Sequence, residues 1–122
     1  LRFLKATLAI SSFLDVFGVG LSFACDDIRK NVQNIHNGVK DSEHSNPTLE
    51  QCMDAQNDSF DEGSVALSLL WIVRTLEFIM DLMRRLLEDE TRPLYDSVEE
   101  AYSTTLAIHH TVVMQTVFKV CW

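Results

Sequence analysis

Three stretches of the chain set polar side chains at spacings that could meet a ligand. In "CDDIRKNVQN", Asp27 and Asn31 stand four residues apart, and Asn34 follows three later. On a helix these positions share one face. A carboxylate beside an amide can accept and donate hydrogen bonds to a polyhydroxylated or amide-bearing molecule. The same spacing also describes an ordinary solvated face, the commoner fate of polar residues. In "LSLLWIVRTLEF", Trp71 sits in an apolar run with Arg74 three residues on. An indole offers a flat surface on which a sugar ring can stack. It equally fills a core, with Arg74 reaching water along its own methylenes. In "IHHTVV", His109 and His110 interrupt an apolar pattern. Adjacent helical residues point about 100° apart, so two such rings do not converge on one metal. Leu106, Val113 and Met114 hold the places where a zinc ligand would stand. One exposed His and one making a single buried hydrogen bond is the plainer arrangement.

Catalytic patterns are weak. The chain has no Gly-rich phosphate loop, nucleophile elbow or HExxH. Asp27 and His110 could pair, but no nucleophile accompanies them. Ser103, Thr104 and Thr105 read as surface or helix-packing hydroxyls. The reading is a non-enzyme without cofactor or metal.

The elements that must position these residues are helices. Phe3, Leu4, Leu8, Ile10, Phe13, Leu14 and Phe17 recur at three- and four-residue steps, and Gly18 and Gly20 end the run. Phe23, Ala24, Ile28, Val32 and Ile35 predict a second helix over 21–37, with Gly38 as its stop. "VKDSEHSNPT" reads as a loop. Pro47 and Thr48 open a short helix, "DSFDEG" breaks again, and 64–89 is the longest helix. Ser97 and Glu100 have capping-box spacing, which predicts a final helix running unbroken through both histidines.

Composition narrows the class. The 122 residues suit one domain, and a hydrophobic fraction of 47% supports a core. The net charge of −8 argues against nucleic acid and against electrostatic adhesion to anionic bilayers. Three cysteines, Cys25, Cys52 and Cys121, are an odd set without metal spacing and read as reduced, cytoplasmic thiols. Residues 65–79 are too short and, with Arg74 and Glu77, too charged to cross a membrane. Asp15 interrupts the apolar start, which favours a core helix over a signal peptide. The first residue is Leu, so the chain reads as a piece of something longer.

In order and spacing, "FLDVFG", "SFACDDIRKNVQNI", "TLEQCMD", "ALSLLWIVRTLEFI" and "VEEAYSTTLAIHHTVVMQTVFKV" resemble the glycolipid transfer protein family. Each motif is short, but together they span nearly the whole chain. The resemblance implies an all-α, two-layer helical sandwich without disulfides. It holds one sphingolipid with its chains in an apolar sleeve and its head group at the surface. It implies that Asp27 accepts from the sphingolipid amide, His110 donates to the acyl carbonyl, Asn31 bonds the first sugar and Trp71 is the stacking platform. Asn34, Leu67 and Arg74 are secondary head-group positions. The expected activity is movement of a glycosphingolipid between membranes, with transient peripheral contact.

Within the family, carriers of ceramide phosphate have arginines at the positions matching Leu67 and Trp71, a fork suited to phosphate. Leu67 and Trp71 therefore favour a neutral sugar. Asn34 stands where glycolipid carriers usually have Lys, and Thr111–Val112 follow His110 where Gly or Pro and then Trp are common. Family members also continue past "VFKVCW", so residues 1–122 are expected to form the domain without its C-terminal helices. Phe13, Phe17, Leu67, Leu70, Phe78, Leu106, Val113 and Val117 are candidates to line the sleeve, which would offset about 0.8 kcal/mol per lipid CH₂ otherwise exposed. Alternatives are a ceramide-phosphate carrier, a sphingolipid sensor and a ligand-free helical interaction module.

Overall fold

The computed structural model describes residues 2–17 and 21–121. The glycines at 18 and 20, expected to end the first helix, and the Cys121 side chain lie outside the described residues. Among the described residues six α-helices follow in order: α1 (Arg2–Leu14), α2 (Ser22–Val39), α3 (Leu49–Ala55), α4 (Val65–Glu88), α5 (Leu94–Thr104) and α6 (Val112–Cys121). Short 3₁₀ turns occupy Asp15–Phe17 and Ala107–His109. Among the described residues there is no strand. None of these helices is long and apolar enough to cross a membrane. The chain divides into two compact units, Leu1–Ile72 and Val73–Trp122, and α4 runs through the boundary.

In the first unit α1 packs along α2. The buried side of α1 is Leu4, Thr7, Ser11 and Leu14, a clean helical stripe. The sequence reading placed Leu8 and Phe13 on that side, but both are exposed. Two hydroxyl residues take their place because their polar atoms are satisfied within the helix. Thr7 donates to the Phe3 carbonyl at 2.8 Å and Ser11 to the Leu8 carbonyl at 2.7 Å. Such back-bonded hydroxyls can be buried at little cost. From α2, the Cys25 thiol donates to the Ser11 carbonyl at 3.3 Å. Burial, reinforced by Asp15, pushes the Cys25 thiol up to about 11.

The stripe of α2 is as expected: Ala24, Ile28, Val32 and Ile35 are buried. Gly38, however, does not stop the helix, which runs on to Val39. Gly38 is buried, and a Cβ there would lie 2.3 Å from Val65 Cγ2. The residue is small because α4 begins against it. Thr48 and Gln51 form a reciprocal capping box at the start of α3, with bonds of 3.2 and 2.9 Å. Ser64 accepts from the Leu67 N–H at 3.2 Å and caps α4. Gln56 accepts from the Val65 N–H at 2.8 Å and donates to Asp41 at 3.1 Å, tying the loop to the head of α4.

In the second unit Phe78, Ile79, Leu82, Val98, Ala101, Tyr102, Leu106 and Phe118 are buried. Here the expected capping box is not formed. Pro93 is the N-cap of α5, so Ser97 falls inside the helix. It is fully buried, and its hydroxyl has no hydrogen-bond partner. Glu100 instead pairs with Arg85 of α4 and with Arg92. Proline sets the start because it has no N–H to continue a helix backwards and its fixed φ suits the residue that leads into one.

Candidate functional site

The Asp27 and Asn31 side chains come together on α2. Asn31 Nδ2 donates to the Asp27 carbonyl oxygen at 2.9 Å and to its carboxylate Oδ2 at 3.2 Å. Asp27 is half-buried, whereas Asn31 is only 6% exposed. A solvated face was the commoner expectation, and for Asn31 it does not hold. A buried amide left unpaired would cost about 1–3 kcal/mol. The bonds to Asp27 let Asn31 enter the stripe beside Ile28, Val32 and Ile35. They also hold the carboxylate to one orientation. Asn34, three residues on, is half-buried.

On α4 the side chains of Leu67, Leu70, Trp71 and Arg74 are all half-buried, while Ser68, Ile72 and Thr75 are buried. Trp71 is therefore neither a sealed core residue nor a fully solvated one. Of the other residues expected to line a sleeve, Phe78 and Leu106 are buried and Phe17 is half-buried. Phe13, Val113 and Val117 are exposed.

His110 lies where the expected continuous final helix breaks. Ser103, Thr104 and Thr105 each turn a hydroxyl back onto the chain, to Glu99 O at 2.8 Å, Glu100 O at 3.0 Å and Ala101 O at 2.6 Å. Three successive back-bonds of this kind compete with helix continuation. After the 3₁₀ turn, His110 takes an extended backbone with φ −95° and ψ 143°. Thr111 then starts α6 by accepting from the Met114 N–H at 3.2 Å. Gln115 Nε2 reaches back to the carbonyls of Ala107 at 2.9 Å and His110 at 3.2 Å, closing the connection.

The His110 ring is half-buried, and its Nδ1 lies 2.8 Å from Tyr102 Oη. Burial first, then the neighbouring charges of His109 and Arg74, hold the imidazole below its ordinary value. It is neutral at pH 7. His109 is also half-buried, so neither ring is fully exposed. Among the described residues no three His, Cys, Asp or Glu side chains gather as metal ligands would.

The sequence alone did not single out Tyr102 or Gln115, which the structure places against His110. A Thr cap at 111 and three consecutive hydroxyl residues before it are the signal for the break. Once the chain turns there, a tyrosine eight residues before His110 can face it.

The sequence matches the family described as Glycolipid transfer protein (GLTP) over residues 1–122. It is 28% identical over 115 residues to Glycolipid transfer protein 2 of Arabidopsis thaliana, covering 92% of this chain and 52% of that one. The fold is similar to the crystal structure of HET-C2, a fungal glycolipid transfer protein. That likeness has a TM-score of 0.82 at 26% identity and covers 98% of this chain and 60% of the fungal chain. The chain thus spans about half the length of the curated relative it matches.

Proposed function

The chain belongs to the glycolipid transfer protein family, and from that premise we propose that it binds one glycosphingolipid and carries it between membranes. Asp27, Asn31, Trp71 and His110 are the head-group residues of this reading, with Asn34, Leu67 and Arg74 secondary. The observation that carries it is the Asp27–Asn31 pair, a buried amide bonded to a half-buried carboxylate. Both Asn31 contacts use its nitrogen, so its carboxamide oxygen is the atom that meets a sugar hydroxyl. A carboxylate such as that of Asp27 accepts several hydrogen bonds at once, about four when ionised. That capacity suits the amide N–H of a ceramide. Neutral His110 donates to the acyl carbonyl, and the Trp71 ring stacks under the sugar.

The head group is a neutral sugar rather than a phosphate. Leu67 and Trp71 carry no charge, whereas a phosphate is best held by a pair of guanidinium groups at those two positions, and Arg74 supplies a single one. Carriage requires no covalent step. The apolar lining removes the hydration cost of the lipid chains, and the polar residues select among head groups, since an unmatched polar group is costly to bury.

The test is vesicle-to-vesicle transfer of labelled galactosylceramide beside labelled ceramide phosphate. Selective movement of the glycolipid, lost in Asp27→Val and Trp71→Ala, is the expected result. Equal movement of ceramide phosphate would overturn the head-group assignment. No movement by a folded protein would remove the carrier reading.

A second reading has its own observation. Ile108, Val112, Val113 and Val120 are each more than two-thirds exposed. Exposed apolar side chains of this kind suit a ligand-free module that binds an apolar partner. That module would keep partner binding in Asp27→Val and Trp71→Ala and would copurify with no lipid.

A further inference from the structure

The second unit contains an aromatic path that ends on His110. Phe78 of α4 meets Phe118 of α6 edge-on, with centroids 6.2 Å apart and planes at 89°. Phe118 in turn lies flat against Tyr102 of α5, at 3.8 Å and 5°. Tyr102 is 2% exposed, and its hydroxyl is 2.8 Å from His110 Nδ1. The tilted His110 ring lies 5.6 Å from the tyrosine ring. Stacking against Phe118 leaves the phenol little freedom, so its oxygen is a fixed point for the imidazole.

Only one proton can lie between Oη and Nδ1. A phenol hydroxyl donates or accepts, and a neutral imidazole carries its single proton on one nitrogen or the other. If Nδ1 held it, the buried phenol hydrogen would have to find another acceptor, at the cost of an unpaired donor. With the phenol donating, Nδ1 accepts and the ring proton is on Nε2. Burial pushes the Tyr102 hydroxyl up, so the phenol keeps its proton, and His110 is neutral for the reasons given above.

We infer that Tyr102 is a positioning residue for His110: by donating from Oη to Nδ1 it holds the imidazole in the Nε2–H tautomer, so that Nε2 acts as a hydrogen-bond donor. The inference rests on the proposed role of His110 as donor to the lipid acyl carbonyl. A carbonyl only accepts, so the opposite tautomer would turn a lone pair toward it and repel it. The tautomer lock makes the site ready before lipid arrives, and less is lost on binding than if the ring had to choose.

The test begins without lipid. Nitrogen-15 NMR of the histidine rings at pH 7.5 reads the tautomer directly, with His110→Leu assigning the signal. The expected result is Nε2–H in the unmodified protein and a tautomer mixture in Tyr102→Phe, which keeps the ring stacked on Phe118. An Nδ1–H tautomer in the unmodified protein, or an unchanged spectrum in Tyr102→Phe, overturns the inference. Galactosylceramide transfer supplies the second arm. Tyr102→Phe should slow it roughly fivefold, the effect of one neutral hydrogen bond, with unchanged circular dichroism, while His110→Leu abolishes it. Loss in His110→Leu with none in Tyr102→Phe sinks the positioning role alone. Full transfer by His110→Leu instead sinks the reading of His110 as carbonyl donor, and the inference falls with it.

Discussion

Asn31 Nδ2 holds Asp27 twice, once by the backbone carbonyl at 2.9 Å and once by the carboxylate at 3.2 Å. The pair is a structural unit as well as a candidate binding unit, and two substitutions separate these roles. Asp27→Asn keeps an acceptor oxygen for Asn31 but removes the charge. It should melt within about 0.5 kcal/mol of the unmodified protein and still lose most glycolipid transfer. Asp27→Val removes the side-chain acceptor and should cost about 1 kcal/mol. Thermal melts read beside transfer rates check both, and a fully active Asp27→Asn would show that the charge plays no part.

Gly38 should not tolerate a methyl group. Alanine is the better helix former by about 1 kcal/mol, but its Cβ would meet Val65 Cγ2 at 2.3 Å and Gln56 Nε2 at 3.0 Å. Val65 is fully buried and cannot swing into solvent. Overpacking of this kind typically costs about 1–3 kcal/mol, so Gly38→Ala should lower the urea midpoint. Adding Val65→Ala should return part of that loss. If Gly38→Ala is stabilising, the close approach of α2 to Val65 is wrong.

The two capping signals should respond oppositely to alanine. Thr48 accepts from the Gln51 N–H and Gln51 accepts from the Thr48 N–H, so Thr48→Ala should cost about 1 kcal/mol. The buried Ser97 hydroxyl has no partner. Replacing it removes a desolvated polar atom and raises helix propensity, so Ser97→Ala should be neutral or stabilising by up to about 1 kcal/mol. Equilibrium denaturation of both variants decides it, and a large loss at Ser97 would reveal a bond to its hydroxyl.

Acidification should weaken the fold in two separate windows. His110 titrates below its ordinary value when folded. Between that lowered value and the unfolded value near 6.5, the unfolded chain binds more protons, so stability falls as pH drops through this range. His110→Gln should flatten the change in melting temperature between pH 7.5 and 5.5. Asp81 and Glu100 behave in the other window. Burial raises the Asp81 carboxyl, but the bonds from Arg85 and Arg84 outweigh it and hold it low. The Arg92 bond holds Glu100 low. Their contribution is present above the unfolded carboxylate value near 4 and is lost as pH falls toward the folded values. A melting profile insensitive to His110→Gln would contradict the first window.

The helices were legible because a helix is written locally. Ile28, Val32 and Ile35 recur at the helical period, Thr48 precedes a good first turn, and Ser64 sits before a long apolar run. The order of short motifs around Asp27, Trp71 and His110 was enough to suggest the family, because those spacings survive in the linear chain. What the chain did not announce was which polar groups would be buried. Periodicity ranks faces by apolar content, so it placed Leu8 and Phe13 inside and left Thr7 and Ser11 out. Hydrogen bonds to carbonyls one turn back reversed that choice. Gly38 looked like a stop because glycine often is one, and only the approach of Val65 gave it another task. Ser97 looked like a cap until Pro93 started the helix a turn earlier. The meeting of Tyr102 with His110 depends on three dimensions in the same way. A hydrogen bond between residues eight apart exists only after the backbone has turned. Sequence therefore determined the helices and the candidate residues, while tertiary packing decided burial, partner and proton position, which depend on neighbours brought together by the fold.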